Sequence, residues 1–531
     1  MTTAAHLAAR IQGRGETGDV SRFWVWFAGI VALGAVLRFW DLAGAPIWMD
    51  EAVTLGFARL DLSTIVWGNI DNHPNLTWLI QHVWHRITPD PDLARVPAAT
   101  FGALTVAALV LAVRDMAGAR AAVIAGLLFA CATGHIYYSQ DARMYPYLMF
   151  GLVLALWGGV GHARRGRHGA ATYAALYVVG GLFAIYSHAL GLIAMGLIGF
   201  SSLAAGWMTP ERWVRARQWF AFNAFLFVLT LPWLIALPSA TGTFPGLGGD
   251  NSPFDIQWFF RNITGFPGLG GPAIVFEAGL YLAAAAALPL AWMRGRRALA
   301  LALGALLVLF PLIILGLHLR QPLLANKVLI PGIIPVVIGA GYTLSRLAPR
   351  PLATACAALL VLAAFTSSAV SLRHNIKPEN YAGAFAFAEA RGFRDAPALT
   401  CVHFHSAAAW ENRRDGRTLF YRRGDVLDYH GPAYWQAAGR TMTWLRAAEA
   451  AEIDEALGGG WLIPGGLAGA LAGEDQVIFV RPSCPAGREA EIIEGLRALG
   501  FAATEETLAR GRAAEFTILE EPQPRVTLFA R

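Results

Sequence analysis

The chain has 531 residues, of which 56% are hydrophobic and only 15% are charged. Soluble domains carry about 25% charged residues, so this composition excludes an ordinary soluble protein and indicates a membrane protein. The formal net charge of +6 does not point to nucleic acid, because the arginines are concentrated in short loops between apolar segments.

Apolar segments long enough to cross a bilayer, which takes about 20 residues in a helix, recur along the chain. Arg10, Arg14 and Arg22 precede the first segment and no small-residue cleavage site follows it, which predicts a retained span rather than a signal peptide. About eleven spans are predicted, near residues 23–40, 96–113, 121–137, 145–161, 170–187, 189–207, 218–238, 273–292, 298–317, 328–345 and 352–371.

Arginine-rich loops alternate with arginine-poor loops along the chain, as in the segments "RRGR" (164–167), "RWVRAR" (212–217) and "RGRR" (294–297). The positive-inside rule therefore predicts a cytoplasmic N-terminus. The outer side receives loops 41–95, 138–144, 239–272 and 319–327, and everything after residue 372. Two domains follow: a transmembrane domain over 1–372 and an extracytoplasmic α/β domain over 373–531, in a bacterial-type inner membrane.

The first outer loop places two carboxylates, Asp50 and Glu51, in the stretch "GAPIWMDEAV" (44–53) directly after an apolar span. Charge is costly where water is scarce, so acids there call for a reason. Amphipathic patterns on either side of "DNHPNL" (71–76), which contains His73, predict helices lying on the membrane surface. The loop ends with Arg95 at the mouth of the second span.

The other outer loops add further polar groups to the same side of the membrane. The second, "YYSQDARMYPYL" (137–148), places Asp141 beside Arg143, between Tyr138 and Tyr145. His188 lies at an outer span end. The fourth loop carries Arg320 and Lys327, and Lys327 is one of only two lysines in the chain. Taken singly, each has a simpler explanation, such as interfacial solvation, a turn residue or a snorkelling side chain. Their collection on one face indicates a site.

That collection suits transfer of a sugar from a lipid phosphate. A carboxylate can deprotonate the acceptor hydroxyl as it attacks the anomeric carbon. Cations can hold the departing phosphate, whose negative charge grows in the transition state. A site at the membrane surface also fits a donor whose tail stays in lipid, and partial removal from water makes a carboxylate bind protons more readily.

The region after 372 contains no span-length apolar run and is predicted to be an α/β domain. We expect it to shape acceptor choice and to supply none of the catalytic groups. Cys401 and Cys484 both lie in this domain, and the sequence leaves open whether they form a disulfide. The predicted strands are 398–404, 459–465, 476–482 and 525–531, and the predicted helices are 443–457 and 487–500.

Several segments resemble a known family. "PIWMDEAVT", "DNHPNLTWLIQHVW", "ARVPAATFGALTV" and "YYSQDARMYPYL" are similar, in order and spacing, to the outer-loop motifs of GT-C glycosyltransferases. Within that fold they look most like the protein mannosyltransferase (family 39) and aminoarabinose transferase superfamily, with its bacterial members. "NKVLIPGIIPVV" resembles a later motif, with Lys327 at the family's arginine position. The resemblance is strongest over 46–148 and extends more weakly to about 390.

This resemblance implies a GT-C fold and a glycosyltransferase that uses a polyprenyl-phosphate sugar and inverts the anomeric centre. It assigns the catalytic base to Asp50, with Glu51 and Asp141 as the accompanying acids. Asp141 stands where the family commonly has Glu, and Asn75 replaces the second proline of the stretch that begins at His73 and Pro74. The remaining predicted groups are donor-phosphate ligands Lys327, Arg320, Arg143 and His73, and acceptor or structural supports Arg95, Tyr138, Tyr145 and His188.

Several points stay open at this stage. No cofactor is certain, and a divalent metal held by Asp50 and Asp141 remains an alternative. The expected partners are the lipid-linked donor and membrane lipid, not nucleic acid, while the sugar and the acceptor (lipid, glycan or protein hydroxyl) are undetermined. The alternative functions are a transporter or flippase of lipid-linked sugars, for which Glu277 is the best polar residue within a span, and a non-catalytic scaffold with a glycan-binding domain.

Overall fold

The protein is described by a computed structural model. The described residues are 3–67, 73–165, 169–241, 256–265, 273–320, 327–347, 349–374, 379–401, 403–413, 417–422, 425–428, 465–481, 484, 487–508 and 525–531. The predicted helix 443–457 and nearly all of the predicted strand 459–465 lie outside them.

In the described part of the N-terminal half, the regular secondary structure is helical, with turns and loops between the helices. One long α-helix precedes three shorter α-helices and the 3-10 helix Pro91–Leu93 of the first outer loop, and six more α-helices follow. In chain order they are α1 (Thr3–Phe39), α2 (Met49–Ala58), α3 (Leu62–Trp67), α4 (Leu76–Ile87), α5 (Val96–Ala117), α6 (Ala119–Ala130), α7 (Thr133–Ser139), α8 (Tyr145–Arg165), α9 (Ala170–Ser187) and α10 (Leu190–Trp207).

The membrane part continues through seven further α-helices in the described residues. They are α11 (Arg212–Thr241), α12 (Ile256–Thr264), α13 (Ala273–Met293), α14 (Arg297–Gly304), α15 (Phe310–His318), α16 (Ile333–Leu344) and α17 (Arg350–His374). The π-helix Ala305–Leu309 joins α14 and α15 into one span, and the 3-10 helix Ile330–Gly332 precedes α16. Within the described residues, nine helices are long and apolar enough to cross a membrane, or ten if the bent pair α6 and α7 is one span. A shorter apolar helix covers the predicted span 328–345. The chain is a multi-pass membrane protein, and every predicted span coincides with helical structure.

Helices α8 and α9 approach each other closely through glycines. A Cβ atom on Gly151 would lie 2.5 Å from the backbone nitrogen of Ala184, and one on Gly158 would lie 2.4 Å from that of Tyr177. Small residues permit such backbone approach between membrane helices. This pairing fixes the N-terminal end of α8, where the loop 138–144 ends, against the C-terminal end of α9.

The predicted span 121–137 is broken, since α6 and α7 meet at 58°. A break leaves the last carbonyls of a helix without intrahelical partners. The buried guanidinium of Arg38 donates to the carbonyls of Phe129 (3.2 Å) and Ala130 (3.0 Å), and Ser368 donates to that of Cys131 (2.6 Å). These bonds stabilise the bend, and the bend directs α7 and the loop after it toward the first outer loop.

The helices of the first outer loop pack on one another. Trp78 of α4 is fully buried, and its ring lies 5.2 Å from that of Phe57 of α2. His82 contacts the carbonyl of Ala58 at 3.0 Å. These contacts give α2 a rigid support, while the placement of α2 to α4 on a membrane surface stays a prediction.

The described residues after 374 form a six-stranded mixed sheet with helices around it. The strands are β1 (Ala398–Thr400), β2 (Thr418–Arg422), β3 (Asp425–Asp428), β4 (Gln476–Arg481), β5 (Ala502–Leu508) and β6 (Arg525–Ala530), and the helices are α18 (Tyr381–Glu389), α19 (His403–Arg413), α20 (Gly466–Ala470) and α21 (Arg488–Ala498). The strand order across the sheet is β3-β2-β1-β4-β6-β5. β1 pairs in parallel with β2 and β4, and the other pairings are antiparallel.

Two details of this region differ from, or add to, the sequence prediction. The predicted strand 398–404 is wrong at its end: β1 stops at Thr400, and α19 begins at His403. Cys401 and Cys484 form a disulfide, with their Cα atoms 5.5 Å apart. It joins the end of β1 to the segment after β4, the neighbouring strand of the sheet.

Candidate active site

Asp50 and Glu51 are adjacent in the first turn of α2 but face different surroundings. Successive residues on a helix are rotated by about 100°, so the two side chains cannot point the same way. The side chain of Asp50 is 19% exposed, whereas that of Glu51 is fully buried. Asp50 is thus accessible to a ligand and Glu51 is not.

Glu51 joins the two outer loops through a buried ion pair with Arg95. The guanidinium donates from Nε to Oε1 at 2.7 Å and from Nη2 to Oε2 at 2.6 Å. The backbone N–H of Ala142 also donates to Oε1, at 2.9 Å. Arg95 donates further to the carbonyls of Leu42, Ala45 and Pro46 at 2.7–2.8 Å. Buried charges require this kind of full pairing, and here it fixes the backbone on both sides of Asp50.

Two cations lie beside Asp50. Its Oδ2 is 3.6 Å from Nη2 of Arg143 and 3.8 Å from Nζ of Lys327. Both separations exceed the length of a direct N–H···O bond, which is about 2.7–3.2 Å. Arg143 is buried and also reaches the backbone carbonyl of Asp50 and Oγ1 of Thr54, each at 3.2 Å, while Lys327 is 42% exposed. The guanidinium of Arg143 is therefore fixed in position, whereas the exposed side chain of Lys327 can change its conformation.

The rings of His73 and His188 lie next to these cations, with centroids 4.9 Å apart. Burial, reinforced by Lys327 and Arg143, lowers the pKa of His188 to about 3. Burial and the same two cations, together with His188, hold the pKa of His73 well below its usual range. Nδ1 of His188 accepts a bond from the backbone N–H of Leu190 at 3.0 Å. In the neutral ring this leaves Nε2 as the donor.

Tyr138 and Tyr145 lie on the same side of the site as the two histidines. Their ring centroids are 4.7 Å apart, and the ring of Tyr145 is 5.8 Å from that of His188. Tyr145 is almost fully buried, and its hydroxyl has no hydrogen-bond partner within the described part of the chain. A buried hydroxyl usually has a partner, so this one is suited to a ligand atom.

Asp141 lies behind this group. It is fully buried, and its Oδ1 accepts a hydrogen bond from Nε1 of Trp48 at 3.0 Å. Among the residues that the structure describes, no group of three His, Cys, Asp or Glu side chains could hold a metal ion.

The structure brings most of the predicted residues together. Asp50, Arg143, Lys327, His73, His188 and Tyr145 interact with one another, and Tyr138 adjoins them. Arg320 is exposed just after the end of α15, and the described contacts do not join it to Asp50 or Lys327. Glu277 is fully buried near the start of α13, on a different helix, and Arg261 is its charged neighbour.

Sequence reasoning missed several residues that shape the site. The guanidinium of Arg143 lies over the ring of Trp78, 5.5 Å from the ring centroid. Nε1 of Trp48 donates to Asp141, and Trp48 stands two residues before Asp50 in "PIWMDEAV". Glu379 and Asn412, from the C-terminal region, bind the backbone just before Asp50. No local pattern announces these last two.

Two crystal structures of ArnT from Cupriavidus metallidurans are similar to this chain over nearly their whole length. The apo structure has a TM-score of 0.59 at 12% identity, covering 97% of this chain and 98% of that one. The structure bound to undecaprenyl phosphate has a TM-score of 0.56 at 13% identity, covering 96% and 98%.

The chain has the GT-C fold. The predicted fold class, a GT-C membrane domain with a small C-terminal α/β part, is therefore confirmed. No protein-family model and no curated protein matches the sequence. At this low identity the likeness concerns the fold, so the roles of residues in this GT-C chain are argued from its own geometry.

Proposed function

We propose that this GT-C protein is a membrane glycosyltransferase that moves a sugar from a polyprenyl-phosphate donor to an acceptor hydroxyl outside the cytoplasm, with inversion at the anomeric carbon. The observation that carries the proposal is the partly exposed carboxylate of Asp50, held between Arg143 and Lys327. A base next to phosphate-binding cations is what such a transfer requires.

In the proposed reaction Asp50 accepts the proton of the acceptor hydroxyl. The acceptor oxygen attacks the anomeric carbon from the face opposite the phosphate, and a new carbon–oxygen bond forms. The bond from the anomeric carbon to the phosphate oxygen breaks, and its electron pair leaves with the polyprenyl phosphate. A single displacement of this kind inverts the configuration and needs no second catalytic carboxylate.

Arg143 and Lys327 would hold the departing phosphate. Their distances of 3.6 and 3.8 Å from Asp50 indicate ion pairs that are not tightly hydrogen-bonded, so phosphate oxygens can compete for both cations. Lys327 is exposed enough to turn toward the donor. The role of Arg320 as a phosphate ligand stays a prediction, because its side chain would have to move toward Asp50 and Lys327 to reach the donor.

The neutral histidines and Tyr145 would act as hydrogen-bond donors to phosphate or sugar oxygens. Nδ1 of His188 is already occupied by the N–H of Leu190, which presents Nε2–H to a ligand. The Tyr145 hydroxyl is buried and available for a ligand bond. Neutral donors add specificity without further positive charge, which supports His73 and His188 as donor-site residues.

We assign Glu51, Arg95 and Asp141 to positioning the loops rather than to contact with substrate. All three are buried, and the strong hydrogen bonds of Glu51 and Arg95 are directed at each other and at the backbone. For Glu51 and Asp141 this replaces the role of second acid that the sequence resemblance implied. For Arg95 it agrees with structural support.

The donor class is supported by the bound undecaprenyl phosphate of the similar ArnT structure. We further propose that the membrane domain covers 1–372 and the extracytoplasmic domain 373–531, in an inner membrane with the N-terminus in the cytoplasm. The arginine-rich loops support that orientation.

The experiment uses purified protein in liposomes with a panel of polyprenyl-phosphate hexoses and pentoses and an envelope extract as acceptor. Release of free polyprenyl phosphate that depends on the extract is the expected result, and this product is the same whichever sugar is transferred. Movement of the intact donor between leaflets without release would instead identify a flippase. Binding of glycan with neither release nor movement would identify a scaffold.

A further inference from the structure

Two side chains of the C-terminal domain bind the backbone immediately before Asp50. Oδ1 of Asn412 accepts from the N–H of Ile47 at 3.1 Å, and Nδ2 of Asn412 donates to the carbonyl of the same residue at 2.6 Å. Oε2 of Glu379 accepts from the N–H of Met49 at 2.9 Å. The three-residue segment leading to Asp50 is therefore held from outside the membrane domain.

The contact of Glu379 completes the start of α2. The first N–H groups of a helix have no carbonyl partner within it, and a nearby side chain normally caps them. In α2, which begins at Met49, the N–H of Met49 is instead satisfied by a carboxylate 330 residues later in the chain. A negative charge also interacts favourably with the positive end of a helix. Asp50 occupies the very next position.

Asn412 acts on the peptide groups of a residue slightly earlier. By pairing with both the N–H and the carbonyl of Ile47, it restrains the orientation of that residue in the manner of a neighbouring strand. Asn412 is itself oriented by a bond to the carbonyl of Ala408, within α19. The backbone orientation of Ile47 therefore depends on where α19 lies.

α19 is anchored at a second point on α2. Arg59, just after the end of α2, pairs with both carboxylate oxygens of Glu411, and its guanidinium lies 5.4 Å from the ring of Trp410. Both partners of this ion pair are largely buried. α19 thus contacts the chain just before α2, at Ile47, and just after it, at Arg59, and Asp50 lies between these two contacts.

We propose that the C-terminal domain is a positioning element for the base, in which Glu379 and Asn412 hold Asp50 at its working distance from Arg143 and Lys327. This inference rests on the proposed function of Asp50. It adds to the expected role of the domain in acceptor choice: the domain supplies no atom to the reacting centre, but the geometry of that centre depends on its docking.

The test compares Glu379→Ala, Glu379→Gln and Asn412→Asp in the full-length protein, with Glu389→Ala as the matched control. Gln keeps an acceptor oxygen for the N–H of Met49, and Asp keeps the shape of Asn412 while losing the donor to Ile47. Glu389 is the last residue of α18, the helix that begins two residues after Glu379. Its side chain is exposed, and in the described contacts it pairs only with the exposed Arg394.

We expect Glu379→Ala and Asn412→Asp to lower kcat by about 10- to 100-fold, the range that a misplacement near 1 Å produces. The KM for donor and the binding of undecaprenyl phosphate should change little, because Lys327 and Arg143 remain. Glu379→Gln should recover most of the activity, and Glu389→Ala should match the wild type. A kcat of Glu379→Ala equal to that of Glu389→Ala would overturn the proposal.

Amide hydrogen exchange over residues 46–52 supplies a readout that needs no turnover. Faster exchange there in Glu379→Ala and Asn412→Asp, with unchanged exchange in α8, is the expected result. Unchanged exchange at 46–52 would overturn the positioning role even if activity fell. If the wild type itself shows no transfer, the proposed function fails, and the exchange data still decide whether this domain holds the segment.

Discussion

Replacing Glu51 with Gln should destabilise the protein far more than its position beside Asp50 suggests. The carboxylate accepts three strong hydrogen bonds, at 2.7, 2.6 and 2.9 Å, from Arg95 and Ala142, and all of them are buried. Gln offers one carbonyl oxygen, so at least one bond to Arg95 is lost and its NH2 group faces another donor. The guanidinium is then left buried without its counter-charge.

The expected loss is about 3–5 kcal/mol, the usual cost of removing one partner of a buried ion pair. A count of the bonds agrees, because each hydrogen bond to a charged group contributes about 1.5–3 kcal/mol and Gln loses one or two of them. The measurement is the thermal unfolding midpoint of detergent-purified protein. Glu505→Gln, which breaks an exposed pair with Arg391, is the control and should unfold near the wild-type midpoint.

The double variant Glu51→Met/Arg95→Met sharpens the test. Replacing a buried ion pair by apolar residues is often neutral or stabilising. Here Arg95 also donates to the carbonyls of Leu42, Ala45 and Pro46, so the double variant should remain destabilised. If Glu51→Gln keeps the wild-type midpoint and loses turnover, Glu51 takes part in the chemistry and the structural assignment is wrong.

Three further predictions concern the phosphate site, pH and topology. Lys327→Met should weaken binding of undecaprenyl phosphate by about 10- to 100-fold, which corresponds to the loss of one hydrogen bond to a charged group. Arg320→Met should weaken binding less, and an equal loss of affinity would show that Arg320 also binds the phosphate. Because the pKa of His188 is about 3 in the folded protein, below the usual 6.5, its unfolded form binds the proton first. The lowered pKa has no effect on stability above about pH 6.5, where the ring is neutral in both states, and it destabilises the folded protein progressively as the pH falls from 6.5 toward 3. The thermal midpoint of His188→Asn should therefore fall less on acidification than that of the wild type, and parallel curves would refute this. Cysteines introduced by Trp213→Cys and Glu494→Cys should be labelled from opposite sides of the membrane, and labelling from one side would overturn the orientation.

The sequence could predict which residues share a side of the membrane, because loop composition alternates with each span. That rule places Asp50, Arg143 and Lys327 on one face, and the structure brings both cations within 4 Å of the Asp50 carboxylate. The sequence could not decide which of Asp50 and Glu51 faces the site. That depends on the rotation of α2, which is set by Arg95, 44 residues away.

The contacts of the C-terminal domain were beyond sequence reasoning for a similar reason. The bond from Met49 to Glu379 joins residues 330 positions apart, and nothing near either one marks it. β5 was also missed, since "ATEETL" places polar residues on both faces of an exposed edge strand and shows no clear apolar alternation. Such elements are fixed by pairing with β6 rather than by their own pattern.

The measurement that tests the central claim most directly is transfer by Asp50→Asn. The variant should keep the wild-type unfolding midpoint and its affinity for undecaprenyl phosphate, since Lys327 and Arg143 remain in place. Its rate of polyprenyl phosphate release should fall by about 10²–10⁴, the usual contribution of a general base. Near-normal turnover by a correctly folded Asp50→Asn protein would contradict the account, because the base would then have to be another group.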